Sequence, residues 1–209
     1  MTRRLTAALA TLGISACLMG CVSRARFPAY YTLHVPPAVD VPTAGGTRPS
    51  LAVREFHSPA YLRQGAIVYR TSPEQIGFYQ YHRWAVDPRE FLTNAIIDCL
   101  RARGRFAEVS AYDGRSDVDY ILSGRLEKLE EVDYEGGVRV EVALSAQLTD
   151  PRSGKTVWAN AASESDRVEK RNVPAVVAEM SQAMDHAIQK LLASLTVSTA
   201  SSLNPSLQK

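Results

Sequence analysis

The sequence predicts an α+β domain in which an antiparallel sheet, ending in a C-terminal meander, carries two main helices. Apolar residues alternate strictly through residues 138–148, which is the period of a strand with one buried face. Apolar residues recur every three or four positions through residues 177–195, which is the period of an amphipathic helix. Short β-branched and aromatic runs, separated by turn-forming residues, precede both segments.

The N-terminal half is expected to contribute four short strands. Residues 22–50 are rich in proline and glycine, which predicts a spacer interrupted by one strand at residues 30–35. Three further runs at residues 51–56, 66–70 and 76–82 are rich in β-branched and aromatic side chains and are bounded by turn formers. We therefore expect a strand in each run.

The first helix has clear start and stop signals. Asp87 is a suitable N-cap, Pro88 suits the first helical position, and Glu90 can close a capping box. The helix is expected to run to Arg103, with Gly104 as its left-handed terminator. Its expected core-facing stripe is Leu92, Ile96, Cys99 and Arg103, with Arg89, Thr93 and Arg101 off that stripe. The pattern favours a buried, unreactive thiol at Cys99 over a reactive one.

The second half predicts a further strand at residues 106–109 and then a three-stranded antiparallel meander. The meander strands are expected at residues 120–132, 138–148 and 156–168, joined by glycine-containing hairpin turns. Alternation fails at residues 126–129, which predicts a β-bulge there.

The C-terminal helix is expected to lay its apolar stripe on the meander. Its methionines, Met180 and Met184, are interpreted as core residues rather than a ligand-binding set. Residues 196–209 are rich in serine and threonine and nearly lack large apolar side chains, so a loose tail is expected.

The N-terminus has the layout of an export signal. Arg3 and Arg4 precede an apolar run at residues 5–19, which is shorter than the roughly twenty residues of a membrane-spanning helix. The run ends in Leu18-Met19-Gly20-Cys21, which resembles the lipobox of bacterial lipoproteins. That resemblance implies cleavage before Cys21 and acylation of this cysteine, by acyl chains such as palmitate. The alternative is an ordinary signal in which the cysteine is incidental.

These features divide the chain into four parts and set its charge. We expect a lipoprotein signal peptide at residues 1–20, a lipidated N-terminus with spacer and first strand at 21–49, an α+β domain at 50–195 and the tail at 196–209. Removing the signal takes away two arginines and no acid, which leaves equal numbers of basic and acidic side chains. That balance argues against a nucleic-acid partner and against purely electrostatic membrane binding.

Motifs of known chemistry are missing from the sequence. It has no Gly-x-Ser-x-Gly, P-loop, His-Glu-x-x-His or paired Cys-x-x-Cys motif. The four histidines have no metal-binding spacing, and Cys99 has no evident disulfide partner once Cys17 leaves with the signal and Cys21 carries lipid. The sequence therefore predicts a protein that is not an enzyme, with no metal site and no cofactor beyond the covalent lipid at Cys21.

One segment, residues 67–84, departs from ordinary globular composition. Aromatic and arginine side chains are interleaved there, a composition that is enriched at the centres of protein interfaces. The competing interpretation is that alternate members face the core while the arginines are solvated. The candidate residues for contacts with a partner or between subunits are Tyr69, Arg70, Tyr79, Tyr81, His82, Arg83 and Trp84.

The combined pattern is similar to the ABC-type transport auxiliary lipoproteins, the group that includes paraquat-inducible protein C. The resemblance rests on Tyr30-Tyr31-Thr32-Leu33 soon after the lipobox, then the run at residues 66–70, then Tyr79-Gln80-Tyr81-His82-Arg83-Trp84-Ala85 leading into the proline-started helix. It covers most of residues 21–195. Val86-Asp87-Pro88 replaces a more acidic or proline-rich junction.

The resemblance implies an outer-membrane lipoprotein that faces the periplasm and serves a lipid transport system. Its implied partners are an MCE-domain protein, an ABC permease and an ATPase, and a homo-oligomeric ring is implied as well. Val22 is compatible with this destination, since an aspartate there would signal retention in the inner membrane. The alternatives are a lipid-binding carrier, a structural lipoprotein of envelope assembly without an ABC partner, and an envelope hydrolase.

Overall fold

The computed structural model describes residues 26–36, 48–115, 117–134 and 136–195. Within these ranges the chain forms eight strands, two α-helices and one short 3-10 helix at Ala60–Gln64. The strands are β1 (Ala29–Tyr31), β2 (Ser50–Val53), β3 (Ala66–Arg70), β4 (Ile76–Trp84), β5 (Glu108–Ala111), β6 (Tyr120–Val132), β7 (Arg139–Thr149) and β8 (Thr156–Arg167). The helices are α1 (Pro88–Ala102) and α2 (Val173–Ala193).

The strands form one sheet built around β6. One edge of β6 pairs with β7, which pairs in turn with β8, both in antiparallel fashion. The other edge is shared, because β2 pairs with the beginning of β6 and β3 with its end, both in parallel. Strand β5 lies beside β2, β4 beside β3, and β1 beside β4. The predicted α+β class is confirmed, but the sheet is mixed rather than wholly antiparallel, because four strand pairs outside the meander are parallel.

The C-terminal meander matches the sequence prediction closely. Strands β6, β7 and β8 pair along their whole lengths, and the register shifts between Leu126 and Lys128, where the bulge was expected. The turns contain Gly136 and Gly154, both with positive φ, which favours glycine.

Strand β8 is an edge strand of the sheet. Its outer edge has no strand partner within the described ranges. Alternate residues, from Trp158 to Asp166, are half-buried on the side of α2, while the intervening ones are exposed. Asn160 Nδ2 donates a hydrogen bond of 2.8 Å to the carbonyl of Leu191, which ties the strand to the helix.

Helix α2 covers the apolar side of the meander. Asn172 caps its start by accepting a hydrogen bond of 3.0 Å from the backbone nitrogen of Ala175. Met180 and Met184 are completely buried, so their predicted core role is confirmed. Arg103, at the end of α1, donates to the carbonyl of Leu192 at 2.7 Å and so links the two helices.

Helix α1 begins as predicted and ends at Ala102, one residue before the expected end, and one residue lies on a different face than expected. Asp87 caps it by accepting from the backbone nitrogen of Arg89 at 2.9 Å, and Gly104 has a φ of 60°. Thr93 was expected off the buried stripe, and this expectation is wrong, since Thr93 is buried. Its hydroxyl accepts a hydrogen bond of 3.0 Å from the backbone nitrogen of Phe56, which satisfies two polar groups in the core.

Several strand bounds differ from the expectation; among them, β4 runs two residues further than expected, to Trp84. Strand β1 ends at Tyr31 because the next residues leave the ladder: Leu33 enters the core and the backbone nitrogen of His34 donates to Ser181 Oγ at 3.1 Å. Strand β2 ends at Val53. Strand β5 starts two residues later than expected, at Glu108.

The predicted signal peptide, Cys21 and the tail lie outside the described residues. No helix in the described part of the chain is long and apolar enough to cross a membrane.

Candidate interface site

The seven predicted interface residues all lie on β3 and β4, which are neighbours in the sheet. Strand β1 borders β4 on its other side, and the end of β6 borders β3. Around these four strands the structure assembles aromatic rings, two arginines and two buried carboxylates.

An irregularity in β4 shapes the aromatic group. Val68 pairs with Phe78, but Ala66, two residues earlier, pairs with Arg83, so β4 carries extra residues between these pairs. In a regular strand, residues three apart point to opposite faces. Here the rings of Tyr79 and His82 meet edge to face with centroids 5.6 Å apart. The irregularity therefore brings two side chains together that alternation alone would separate.

The ring contacts extend to both neighbouring strands. From β1, the hydroxyl of Tyr31 lies 2.9 Å from Nδ1 of His82. From β3, the ring of Tyr69 meets that of Tyr79 at a tilt of 59°, with centroids 5.1 Å apart. Tyr69 lies directly over its pairing partner Gly77, where a Cβ atom would come within 2.2 Å of the Tyr69 ring. Glycine at this position thus makes room for the tyrosine ring.

Glu131 carries the first buried carboxylate of the site. It is 6% exposed and accepts a hydrogen bond of 2.8 Å from the hydroxyl of Tyr79. Burial raises the pKa of Glu131 above its usual range, and the hydrogen bond from Tyr79 opposes that rise. Burial, together with the bond to Glu131, also raises the pKa of Tyr79, so the phenol stays protonated.

Glu130 carries the second buried carboxylate, and Arg70 binds it at two points. Arg70 Nε lies 3.0 Å from one oxygen and Nη2 lies 3.1 Å from the other. The glutamate side chain has no exposure, and the arginine side chain keeps 16%. The hydrogen bond to Glu130 is the main cause of the raised pKa of Arg70. Arg70 is therefore committed to an internal ion pair rather than free for a partner.

The remaining predicted residues divide into inward and outward groups. Trp84 belongs to the core, at 7% exposure. Arg83 is exposed and donates to the carbonyl of Gln64 at 3.2 Å, while Tyr81 is half-buried beneath the guanidinium of Arg26, 5.5 Å from its ring centroid. The interface role of the seven residues stays a prediction. Arg83 and Tyr81 fit that role best, since neither belongs to the buried core.

Three exposed aromatic residues near this site are not among the seven predicted interface residues. Phe27 is 86% exposed, Tyr30 is 64% exposed and Phe78 is 37% exposed. The signal that could have found Tyr30 is its position beside the ladder residue Tyr31, since neighbours in a strand point to opposite faces.

Two grooves lie elsewhere on the described part of the molecule. One, of about 370 Å³, runs between α1 and α2 and is lined by apolar residues such as Val35, Phe91 and Ile188, with Glu90 and Asp98 at its edge. The other, of about 700 Å³, is shallow and lies on the sheet, with Arg54, His57 and Arg125 around a floor of small residues. The lining of the first groove is mainly apolar, and the second groove has basic side chains at its rim.

Nothing in the described residues marks a reaction centre. No group of three or more histidine, cysteine or acidic side chains within the described ranges could hold a metal ion. Cys99 is a free, buried thiol, and burial raises its pKa, which disfavours the nucleophilic thiolate.

Comparison with known proteins gives one family and a shared fold. A family model for the ABC-type transport auxiliary lipoprotein component matches residues 31–191. The structure is similar to that of protein XCC0632 from Xanthomonas campestris, at 18% identity and a TM-score of 0.68, covering 78% of this chain and 92% of that chain. It is also similar to that of an uncharacterized protein, at 17% identity and a TM-score of 0.63, covering 81% of this chain and 99% of that one. The search of curated proteins found no match.

Proposed function

This chain belongs to the ABC-type transport auxiliary lipoprotein family, and from that premise we propose that it is the outer-membrane component of an ABC/MCE-type lipid transport system. As a family member it is an auxiliary lipoprotein of a transport system. In the proposed role it is anchored through Cys21, faces the periplasm and acts as the docking or receiving subunit for an MCE-domain protein. The match over residues 31–191 is the observation that carries the proposal.

The lipobox supports the anchored location. Cys21 lies five residues before Arg26, the first described residue, so the acylated end and the folded domain are separated by a short stretch of chain. Several acyl chains on one cysteine exceed the single chain that gives only reversible binding, so the protein would stay on its membrane. A protein held on its membrane suits a docking role better than a shuttling role.

The chemistry of the described residues suits binding better than catalysis. The most strongly perturbed groups, such as Tyr79 and Glu131, are engaged with each other, and Arg70 is engaged with Glu130. Such pairs are structural devices of the fold, which accounts for their shifted pKa values without a reaction.

The outward side of β4 is the surface proposed for the MCE partner. Phe78 and Arg83 are exposed on this strand, and Tyr81 is half-buried between them. Aromatic and arginine side chains supply much contact area at protein interfaces. A homo-oligomeric ring of auxiliary subunits is part of the same proposal, and its contacts would draw on the same residue types.

Photo-crosslinking in intact envelopes tests the docking role. A photoreactive phenylalanine analogue would replace Phe78 or Arg83, and a control would replace Val157, which is 53% exposed on β8. We expect both β4 positions to capture the MCE-domain protein, with much weaker capture from position 157. Equal capture from all three positions, or none from β4 in a folded and membrane-bound protein, would contradict the proposal.

Substitution at the same surface needs care, because the predicted residues differ in burial. Arg83→Ala removes an exposed side chain and is a clean test of partner pull-down. Trp84→Ala would open a cavity in the core at a cost of about 3–5 kcal/mol, so a loss of binding would report on folding instead. The unchanged pull-down of Arg83→Ala would remove this residue from the interface.

The groove between α1 and α2 favours a second candidate, a lipid-binding carrier. Its apolar lining includes Val35, Phe91 and Ile188, which suits an acyl chain. The test is mass spectrometry of lipids that co-purify with the Cys21→Ser domain lacking its signal peptide. A carrier should retain lipid, whereas a docking subunit need not, and Phe91→Asp should abolish the retention only if this groove holds it.

A further inference from the structure

Two of the most exposed aromatic residues in the described part of the chain lie together near its start. Phe27 is 86% exposed, and Tyr30 is 64% exposed on β1. Arg26 lies over the ring of Tyr81. We call Arg26, Phe27 and Tyr30 the N-terminal patch.

Chain length ties this patch to Cys21. Phe27 lies six positions after Cys21, and an extended chain spans at most about 3.6 Å per residue, so Phe27 lies within roughly 22 Å of Cys21. If Cys21 is acylated, its backbone is held at the bilayer surface. The patch is then held within reach of the lipid headgroups whatever path the intervening residues take.

The chemistry of the patch suits that location. Aromatic side chains such as tyrosine are enriched at the membrane–water interface, where the lipid headgroups lie. An arginine side chain can bury its apolar stem there and keep its charged guanidinium in water. No carboxylate lies within ion-pair distance of Arg26 in the described ranges, so its charge is available to anionic lipid phosphates. A guanidinium near a lipid phosphate is a favourable charge-assisted contact.

We propose that the N-terminal patch rests on the surface of the membrane that anchors Cys21, with Phe27 and Tyr30 inserted among the headgroups. This inference depends on the acylation in the proposed function, and it adds an orientation for the domain. The β1 side of the sheet faces the bilayer. Strand β8 lies five strand spacings away, about 24 Å across the sheet, and faces away from it.

Fluorescence of a labelled lipoprotein in vesicles tests the inference. The acylated protein with Phe27→Cys, labelled with a nitrobenzoxadiazole dye, is reconstituted into vesicles of phosphatidylethanolamine and phosphatidylglycerol. Val157→Cys is the matched control, since Val157 is also exposed but lies on β8. Cys99 is 5% exposed and Cys21 is blocked by lipid, so neither competes for the dye.

We expect nitroxide-bearing lipids to quench the dye at position 27 at least threefold more than the dye at position 157. Equal quenching, in protein that floats with the vesicles, overturns the inference and leaves the anchored location intact. A blue shift at position 27 that depends on protein concentration and resists lipid quenching assigns the patch to a second copy of the chain, and also overturns it. Protein that fails to float refutes the acylation at Cys21, and the inference with it.

Discussion

Arg70 and Glu130 form a two-point ion pair in which the carboxylate has no exposure to solvent, although the two residues are sixty positions apart in the sequence. The pair joins β3 to β6 at the end of the sheet where the parallel ladder between these strands is only two residues long. Its bidentate geometry supplies directional contacts where the backbone supplies few.

Arg70→Ala should lower the free energy of unfolding by about 3–5 kcal/mol, because it leaves the Glu130 carboxylate buried without its partner. Urea unfolding followed by circular dichroism measures the change. The double variant Arg70→Met with Glu130→Leu removes both charges and should recover most of the loss. If the single variant is as stable as the wild type, the pair has no structural role.

Glu131→Gln should stabilise the protein at neutral pH. The pKa of Glu131 is raised above its usual value of 4.5 by burial, so its ionisation opposes folding as pH rises through the raised pKa. Glutamine keeps an acceptor for the Tyr79 hydroxyl and carries no charge. The gain in melting temperature should shrink in acid and vanish below about pH 4.5, where the carboxyl is protonated in both folded and unfolded chains.

Tyr79→Phe provides the opposite test of the same contact. It removes the hydrogen bond that lowers the pKa of Glu131, so the ionised carboxylate becomes costlier to bury. We expect a loss of about 1–3 kcal/mol at neutral pH and a smaller loss in acid. A loss that does not depend on pH would assign the effect to ring packing on Tyr69 instead.

Gly124→Ala should destabilise the sheet by about 1–3 kcal/mol, since overpacking displaces neighbours that are already in contact. A Cβ atom there would lie 2.3 Å from the ring of Phe56 and 2.5 Å from the carbonyl oxygen of Ser145, and Phe56 is fully buried. Ser163→Ala, on the exposed side of β8, is the control and should change little. Thermal unfolding of the wild type and the two variants measures the difference in stability.

Cys21→Ser should move the protein from the membrane fraction to the soluble periplasmic fraction without changing its circular dichroism spectrum. The reason is that acyl chains supply the anchor, whereas the described fold begins at Arg26. Cys99→Ala, which alters the buried helix cysteine, should remain in the membrane fraction. Membrane retention of Cys21→Ser after an alkaline wash would contradict the anchor.

Local sequence patterns were sufficient for the elements whose causes are local. The period of two predicted β7, the broken alternation predicted the bulge near Leu126, and the Asp87 cap predicted the start of α1. Each of these signals acts within a few residues of the structure that it specifies.

Local patterns could not predict the parallel strand pairings or which residues of the aromatic segment are buried. Strand β2 pairs with a stretch of β6 about seventy residues later, and no local periodicity encodes that choice. Likewise, nothing near Arg70 reveals that Glu130 will bind it. Thr93 is buried in the core, where its hydroxyl accepts a hydrogen bond from the backbone nitrogen of Phe56, a residue distant in the sequence.

The unpaired edge of β8 also bears on how this molecule avoids aggregation. Two carboxylates, Glu164 and Asp166, point from this strand toward α2; Lys190 Nζ lies 2.5 Å from Glu164, and one oxygen of Asp166 is buried without a hydrogen-bond partner in the described part of the chain. Inward charges on an edge strand discourage another chain from extending the sheet, because the added strand would bury them further. Twelve residues of open ladder are thereby kept from seeding fibrils.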